Sequence, residues 1–116
     1  MKKINILKDN REFSRIIKNN RSFKYKDYII YKENKSSDVY KFGISVSKKI
    51  GNAVVRNKLK RQIKNIIDKK YYENSFNCII ILRKGILEKS FSEMSEDLYT
   101  AFKIIKLFKE ENCEKK

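Results

Sequence analysis

The chain has 116 residues, with 29 Lys and Arg against 14 Asp and Glu, no His, and a formal net charge of +15. That length suits one domain able to bury its own core, and 41% hydrophobic residues argue for packing over disorder. Such an excess of one charge costs self-repulsion and points to a polyanionic partner, nucleic acid ahead of an anionic membrane.

No apolar run approaches the roughly 18 residues of a spanning segment, and the opening MKKINILKDN lacks the apolar stretch of a secretory signal. The expectation is a cytoplasmic protein with no membrane partner. No Pro and only three Gly leave nothing that reads as a linker. A single domain over 1–109 is expected, followed by a charged, disordered tail over 110–116. Cys78 sits in the apolar run NCIIIL and Cys113 in the tail EENCEKK. Settings so different make a poor disulfide and offer no metal spacing, so Cys78 reads as core and Cys113 as an incidental thiol.

In chain order, DNREFSRIIKNN predicts a first helix. Asp9 is its N-cap, with Glu12 at the capping-box spacing, and Phe13, Ile16 and Ile17 form one apolar face. Asn19 or Asn20 is expected to close it in the left-handed conformation. DYIIYKE (27–33) and VYKFGISVS (39–47) predict strands, with 21–26 adding to the first. In the later strand Tyr40, Phe42, Ile44 and Val46 alternate with Lys41, Gly43, Ser45 and Ser47, the period-two pattern of a half-buried strand. ENKSSD between the two reads as a hairpin loop.

Asn52 is a good N-cap, and the helical pattern runs from Ala53 to about Tyr71. At 100° per residue Val55, Leu59, Ile63 and Ile66 fall in one arc. Arg56, Lys60 and Lys64 stack beside it, with Asn57 and Arg61 in a parallel row. Asp68 is the one acid between Lys48 and Lys70. An ordinary solvated helix face mixes signs, because oppositely charged i,i+4 pairs stabilise and like pairs repel. A face without acids therefore favours nucleic-acid binding. Ahead of the helix, Lys48, Lys49 and Gly51 bring backbone N–H groups and the positive end of the helix dipole to the same side, with Ser45 and Ser47 leading into that corner.

NCIIILRK (77–84) predicts a central strand. Ser90 and Glu93 predict a capping box for a last helix with the stripe Phe91, Met94, Leu98, Ala101, Ile105 and Phe108. Acids early and lysines late in that helix match its dipole. The order α-β-β-(β)-α-β-α defines an α+β fold, a two-layer α-β sandwich with one sheet and helices packed on it.

The run SVSKKIGNAVVRNKLKRQIK closely resembles the signature of the bacterial ribonuclease P protein component, K-x-G-x-A-V-x-R-N-x-x-K-R. The matching residues are Lys49, Gly51, Ala53, Val54, Arg56, Asn57, Lys60 and Arg61. The likeness extends over nearly the whole chain, including the opening MKK…LK, Glu12–Phe13, Tyr31 at the end of its strand, and Arg83–Lys84.

The resemblance implies a left-handed β-α-β crossover, opposite to the general rule for such units. It implies binding of a catalytic RNA through Lys48, Lys49, Arg56, Asn57, Lys58, Lys60, Arg61 and Lys64. It also implies capture of the 5′ leader of precursor tRNA by Phe13, Ile17, Ile29 and Tyr31. Expected partners are the ribonuclease P RNA, at one protein per RNA, and precursor tRNA. Mg²⁺ is expected to be bound mainly by the RNA, and no catalytic or metal-binding side chain is assigned to the protein. Two positions depart from the family pattern. Ile17 replaces a common aromatic, and Lys64 replaces Arg, keeping the charge without the bidentate fork.

Two further functions compete with this one. A structural RNA binder, such as a ribosomal protein, would carry the same basic helix. A protein nuclease is disfavoured by the lack of His and by the scatter of Asp9, Asp27, Asp38, Asp68 and Asp97, which form no D-x-D cluster. At Phe13 the sequence leaves core and cleft equally open. At Tyr31 the shared strand face with Ile29 favours exposure.

Overall fold

A computed structural model describes residues 1–35, 39–73 and 75–109. A short 3₁₀ turn at Lys3–Asn5 leads to α1 (Asn10–Asn19), then β1 (Ser22–Tyr25), β2 (Tyr28–Asn34), β3 (Lys41–Val46) and α2 (Ala53–Asp68). β4 (Phe76–Leu82), a 3₁₀ segment at Lys84–Glu88 and α3 (Phe91–Ile104) complete the fold. The expected tail and Cys113 lie outside the described residues.

The α+β class and the single sheet with packed helices are as expected. The sheet has the order β1-β2-β4-β3. β1 and β2 form an antiparallel hairpin turned at Lys26, whose φ is 52°. β2 and β4 are antiparallel, and β3 and β4 are parallel, with α2 in the crossover between them. The expected β2–β3 hairpin is therefore absent, because β4 lies between those strands. The reason is burial. Cys78, Ile80 and Leu82 point to one face of β4 and Ile79 and Ile81 to the other, so this strand needs cover on both faces and neighbours on both sides.

α2 and α3 cover one face. Leu59, Ile63, Ile66 and Ile67 of α2 pack with Met94, Leu98, Ala101 and Phe102 of α3 over Tyr28, Ile30, Phe42, Cys78 and Ile80. Burial pushes the Cys78 thiol well above the ordinary range, in keeping with a core role. The Tyr28 hydroxyl donates to the Met94 carbonyl at 2.9 Å and fastens α3 to the sheet. α1 lies on the opposite face, where Leu7, Ile16 and Ile79 form a second, smaller core.

Local details refine the expected elements. Asp9 caps α1 by accepting from the Arg11 N–H at 2.8 Å, but Glu12 turns to Arg15 and no capping box closes. α1 does not end in a left-handed residue: Asn20 is extended at φ −130°, and its side-chain amide donates to the Ile16 carbonyl. That hydrogen bond satisfies a terminal carbonyl without the left-handed turn. α2 stops at Asp68, before Tyr71, because Tyr72 leaves the axis to enter the core and bonds back to the Ile67 carbonyl. The capping box of α3 forms in full between Ser90 and Glu93, and it holds the Glu93 carboxyl below its usual range. α3 ends at Ile104, so Ile105 and Phe108 fall beyond the helix, and Phe102 joins its buried face in place of the more exposed Phe91.

Candidate nucleic-acid interface

The corner between β3 and α2 is built by short-range hydrogen bonds. Ser47 Oγ accepts from the Lys49 N–H at 3.1 Å, and the Ile50 N–H bonds to the Ser47 carbonyl at 3.0 Å. Ile50 is buried, leaving Lys48 and Lys49 exposed on the outside of the turn. Asn52 Oδ1 accepts from the Val55 N–H at 3.0 Å, as its N-cap role requires. Gly51 is needed here for its size: a Cβ would stand 2.9 Å from the Val55 side chain.

Along α2 the basic residues do not form one uniform stripe. Arg56 is half-buried and folds back so that its Nε donates to the Gly51 carbonyl at 3.2 Å. Lys60 and Lys64, also half-buried, turn toward α1. Asn57 and Arg61 face solvent. Lys58 stands apart on the other flank, beside a crevice shared with Ile86 and Met94. Asp68 lies at the far end of the helix, where it accepts an ion pair from the N-terminal ammonium at 2.6 Å. The outer face of α2 therefore carries positive charge without an acid among it.

Lys60 and Lys64 border a groove of about 600 Å³ that runs beside the outer edge of β3. Its other walls are Asn10, Phe13, Ser14 and Ile17 of α1, Leu7 and Lys8 ahead of that helix, and Ile44 and Ser45 of β3. The N-terminal segment closes one end, where the Leu7 N–H bonds to the Phe42 carbonyl at 2.9 Å. Phe13 stands on Gly43, which is buried although it belongs to the strand's polar alternation.

Phe13, Ile17 and Tyr31 are gathered around the small core of Leu7, Ile16 and Ile79, with Ile81 among them. Ile29 lies one row on, opposite Ile81. On β2 the predicted division of faces holds: Tyr28 and Ile30 are fully buried under α3, whereas Ile29 and Tyr31 are half-buried on the α1 side. Phe13 and Ile17 line the groove, while Ile29 and Tyr31 lie farther in, across β4. Sequence reasoning missed Ile44 and Ile81 as site residues, and it placed Ser45 only at the corner before α2, not on the groove wall. Their half-buried positions follow only from strand order.

α1 is fastened over the sheet by a polar row that the sequence did not reveal. Arg15 bonds to both carboxylate oxygens of Glu33, and Glu33 Oε1 also accepts from the amide of the buried Asn77 at 3.0 Å. These bonds, Arg15 foremost, hold the Glu33 carboxyl below its ordinary range. Among the described residues no group of three His, Cys, Asp or Glu side chains comes together to hold a metal ion. No described helix is long and apolar enough to cross a membrane.

An α+β domain whose crossover helix carries an acid-free basic face, beside a groove with apolar and cationic walls, is of the RNA-binding class. The ribonuclease P family matches residues 1–106. The ribonuclease P protein component of Mycoplasma mycoides is 41% identical over 109 residues, covering 91% of this chain and all of that protein. That of Streptococcus gordonii is 36% identical, over 95% of this chain and 93% of that one. Among solved structures, the RNase P protein of Staphylococcus aureus superposes with a TM-score of 0.81 at 33% identity, covering 90% of this chain and 98% of that one. That of Thermotoga maritima gives 0.78 at 28% identity, over 84% and 94% of the two chains. The chain belongs to the ribonuclease P protein component family.

Proposed function

We propose that this protein assists maturation of the tRNA 5′ end by binding the catalytic RNA of ribonuclease P and the leader of precursor tRNA together. The observation that carries this reading is the continuity of two surfaces. The outward face of α2, with Asn57 and Arg61, runs through Lys60 and Lys64 into the groove walled by Phe13 and Ile17. The first surface suits a folded RNA, whose phosphates need point charges. The second suits a single strand, which needs cations for its backbone and apolar faces for its bases.

In this reading Lys48, Lys49, Arg56, Asn57, Lys58, Lys60, Arg61 and Lys64 meet the RNA subunit, one protein per RNA, and Lys60 and Lys64, which also line the groove, reach the leader backbone as well. Phe13, Ile17, Ile29 and Tyr31 meet the leader. The bond cleavage belongs to the RNA, with Mg²⁺ held mainly by RNA phosphates, and the protein relieves repulsion and orients the substrate. The setting is the bacterial cytoplasm. The test is cleavage of precursor tRNA by the cognate RNA subunit at low Mg²⁺, with and without the protein. Faster cleavage and tighter precursor binding are expected on adding it. If neither changes while the protein still binds the RNA, it is a structural RNA binder.

A further inference from the structure

Strand register lays out the sheet face under α1 in rows. Ser22, Tyr31, Ile79 and Gly43 form one row, and Lys24, Ile29, Ile81 and Ser45 form the next. α1 covers the Gly43 and Ile79 end of the first, with Phe13 standing on Gly43 and Ile16 meeting Ile79, and leaves Tyr31 half-buried and Ser22 exposed. The second row is open: Ile29, Ile81 and Ser45 are half-buried and Lys24 is exposed. At the β3 end of this row Ser45 borders the groove that holds Lys60 and Lys64. At the β1 end stands Lys24. The row is thus an apolar track with cations at both ends.

Lys24 belongs to no motif, and its place on this face follows from its strand. Phe23 and Tyr25, its neighbours in β1, pack against the large core on the other side of the sheet. Lys26 also turns away, with its ammonium 5.9 Å from the centre of the Tyr25 ring. Among the described residues Lys24 has no ion pair. It lies directly opposite Ile29 and diagonally from Tyr31. Those relations put Cβ atoms about 5 Å and about 7 Å apart, within the reach of a lysine side chain. A base stacked on Tyr31 therefore brings its own backbone within range of the Lys24 ammonium.

We propose that Lys24 binds a phosphate of the precursor leader, at the end of the track opposite Lys60 and Lys64. This rests on the reading that the leader occupies this face. Three strand spacings of about 4.8 Å separate β1 from β3, roughly 14 Å in all. The two cationic ends accordingly hold different phosphates, and the Lys24 contact forms only when the leader is long enough to cross the sheet.

The experiment uses holoenzyme reconstituted with the cognate RNA subunit and precursor tRNAs whose leaders lengthen one nucleotide at a time. Lys24→Gln is compared with Lys26→Gln, which removes the same charge from the other face, and with Tyr31→Ala. Lys24→Gln should weaken binding of long-leader precursor about two- to fivefold, the range of an exposed charge pair. Leaderless tRNA should bind unchanged. The leader-dependent part of the salt slope should fall by about 0.7, one single-strand phosphate, and a leader with a neutral methylphosphonate backbone should abolish the difference. Lys26→Gln should do none of this. A loss shared by Lys26→Gln, or one that persists with leaderless tRNA, overturns the proposal. A silent Lys24→Gln beside a leader-specific Tyr31→Ala removes Lys24 alone, whereas silence from both removes the leader from this face altogether.

Discussion

Gly43→Ala decides between the core and cleft readings of Phe13. The Phe13 ring stands so close to the Gly43 backbone that an added Cβ would lie 2.9 Å from its Cε2 and 3.1 Å from its Cε1, with Cζ nearer still. Carbon atoms rest about 3.5–4.0 Å apart, so relieving the Cζ contact requires the ring to retreat by about 1 Å. Two effects oppose each other. Gly43 does not have a positive φ, so alanine is compatible with the strand and restricts the unfolded chain, a gain of about 0.4–1 kcal/mol. Overpacking a filled site costs about 1–3 kcal/mol. The second effect wins, and a net loss of about 1–2 kcal/mol is expected in urea denaturation. The displaced ring also moves into the groove and should weaken binding of leader-bearing precursor more than of mature tRNA. In a Phe13→Leu background the ring is gone, and Gly43→Ala should become neutral or slightly stabilising. An equal effect of Gly43→Ala in both backgrounds would refute the seating of Phe13 on Gly43.

Replacing Arg56, Lys60 and Arg61 together with Ala should flatten the salt dependence of binding to the RNA subunit by about 0.9 per lost phosphate contact on duplex-like RNA. An unchanged slope would take α2 out of the interface. Arg61→Ala should weaken assembly more than Lys69→Ala in a filter-binding titration, since Arg61 faces outward while the Lys69 ammonium lies 5.4 Å from the centre of the Phe91 ring. Equal losses would reduce the helix to diffuse charge. Glu33 carries a pH dependence of known sign. Its folded carboxyl titrates below its ordinary value near 4.3, so its stabilisation is complete above that value and is lost as pH falls through the lowered one. Glu33→Gln should therefore lower the melting temperature at pH 7 and narrow its gap to the parent in acid; a gap that stays constant with pH would contradict the Arg15–Glu33 pair.

Much of this fold is decided within a few residues of chain. Asn52 and Ser90 cap their helices through bonds to backbone N–H groups three residues on. The 3.6-residue spacing of Leu59, Ile63 and Ile66 suffices to place α2's buried side, and period two suffices to separate Tyr28 and Ile30 from Ile29 and Tyr31. The confinement of α2's one acid, Asp68, to the last position of the helix is likewise a property of the sequence, and it identifies the basic surface before any fold is known.

Other features depend on which distant segments meet, and local patterns carry no such information. β2 and β3 look like a hairpin because they are neighbours in sequence. They are parted because β4, apolar on both faces, is best buried at the centre. That insertion sets the rows of the sheet, and the rows in turn place Gly43 under Phe13, Ile81 beside Ile29, and Lys24 at the end of the same track. The packing of α1 on the face opposite α2 opens the groove and turns Lys60 and Lys64 into it, away from Arg61. The sequence alone determines which side of each element is apolar or charged, because that is a matter of spacing. Tertiary structure decides which of those sides face one another, because burial is satisfied only by the chain as a whole.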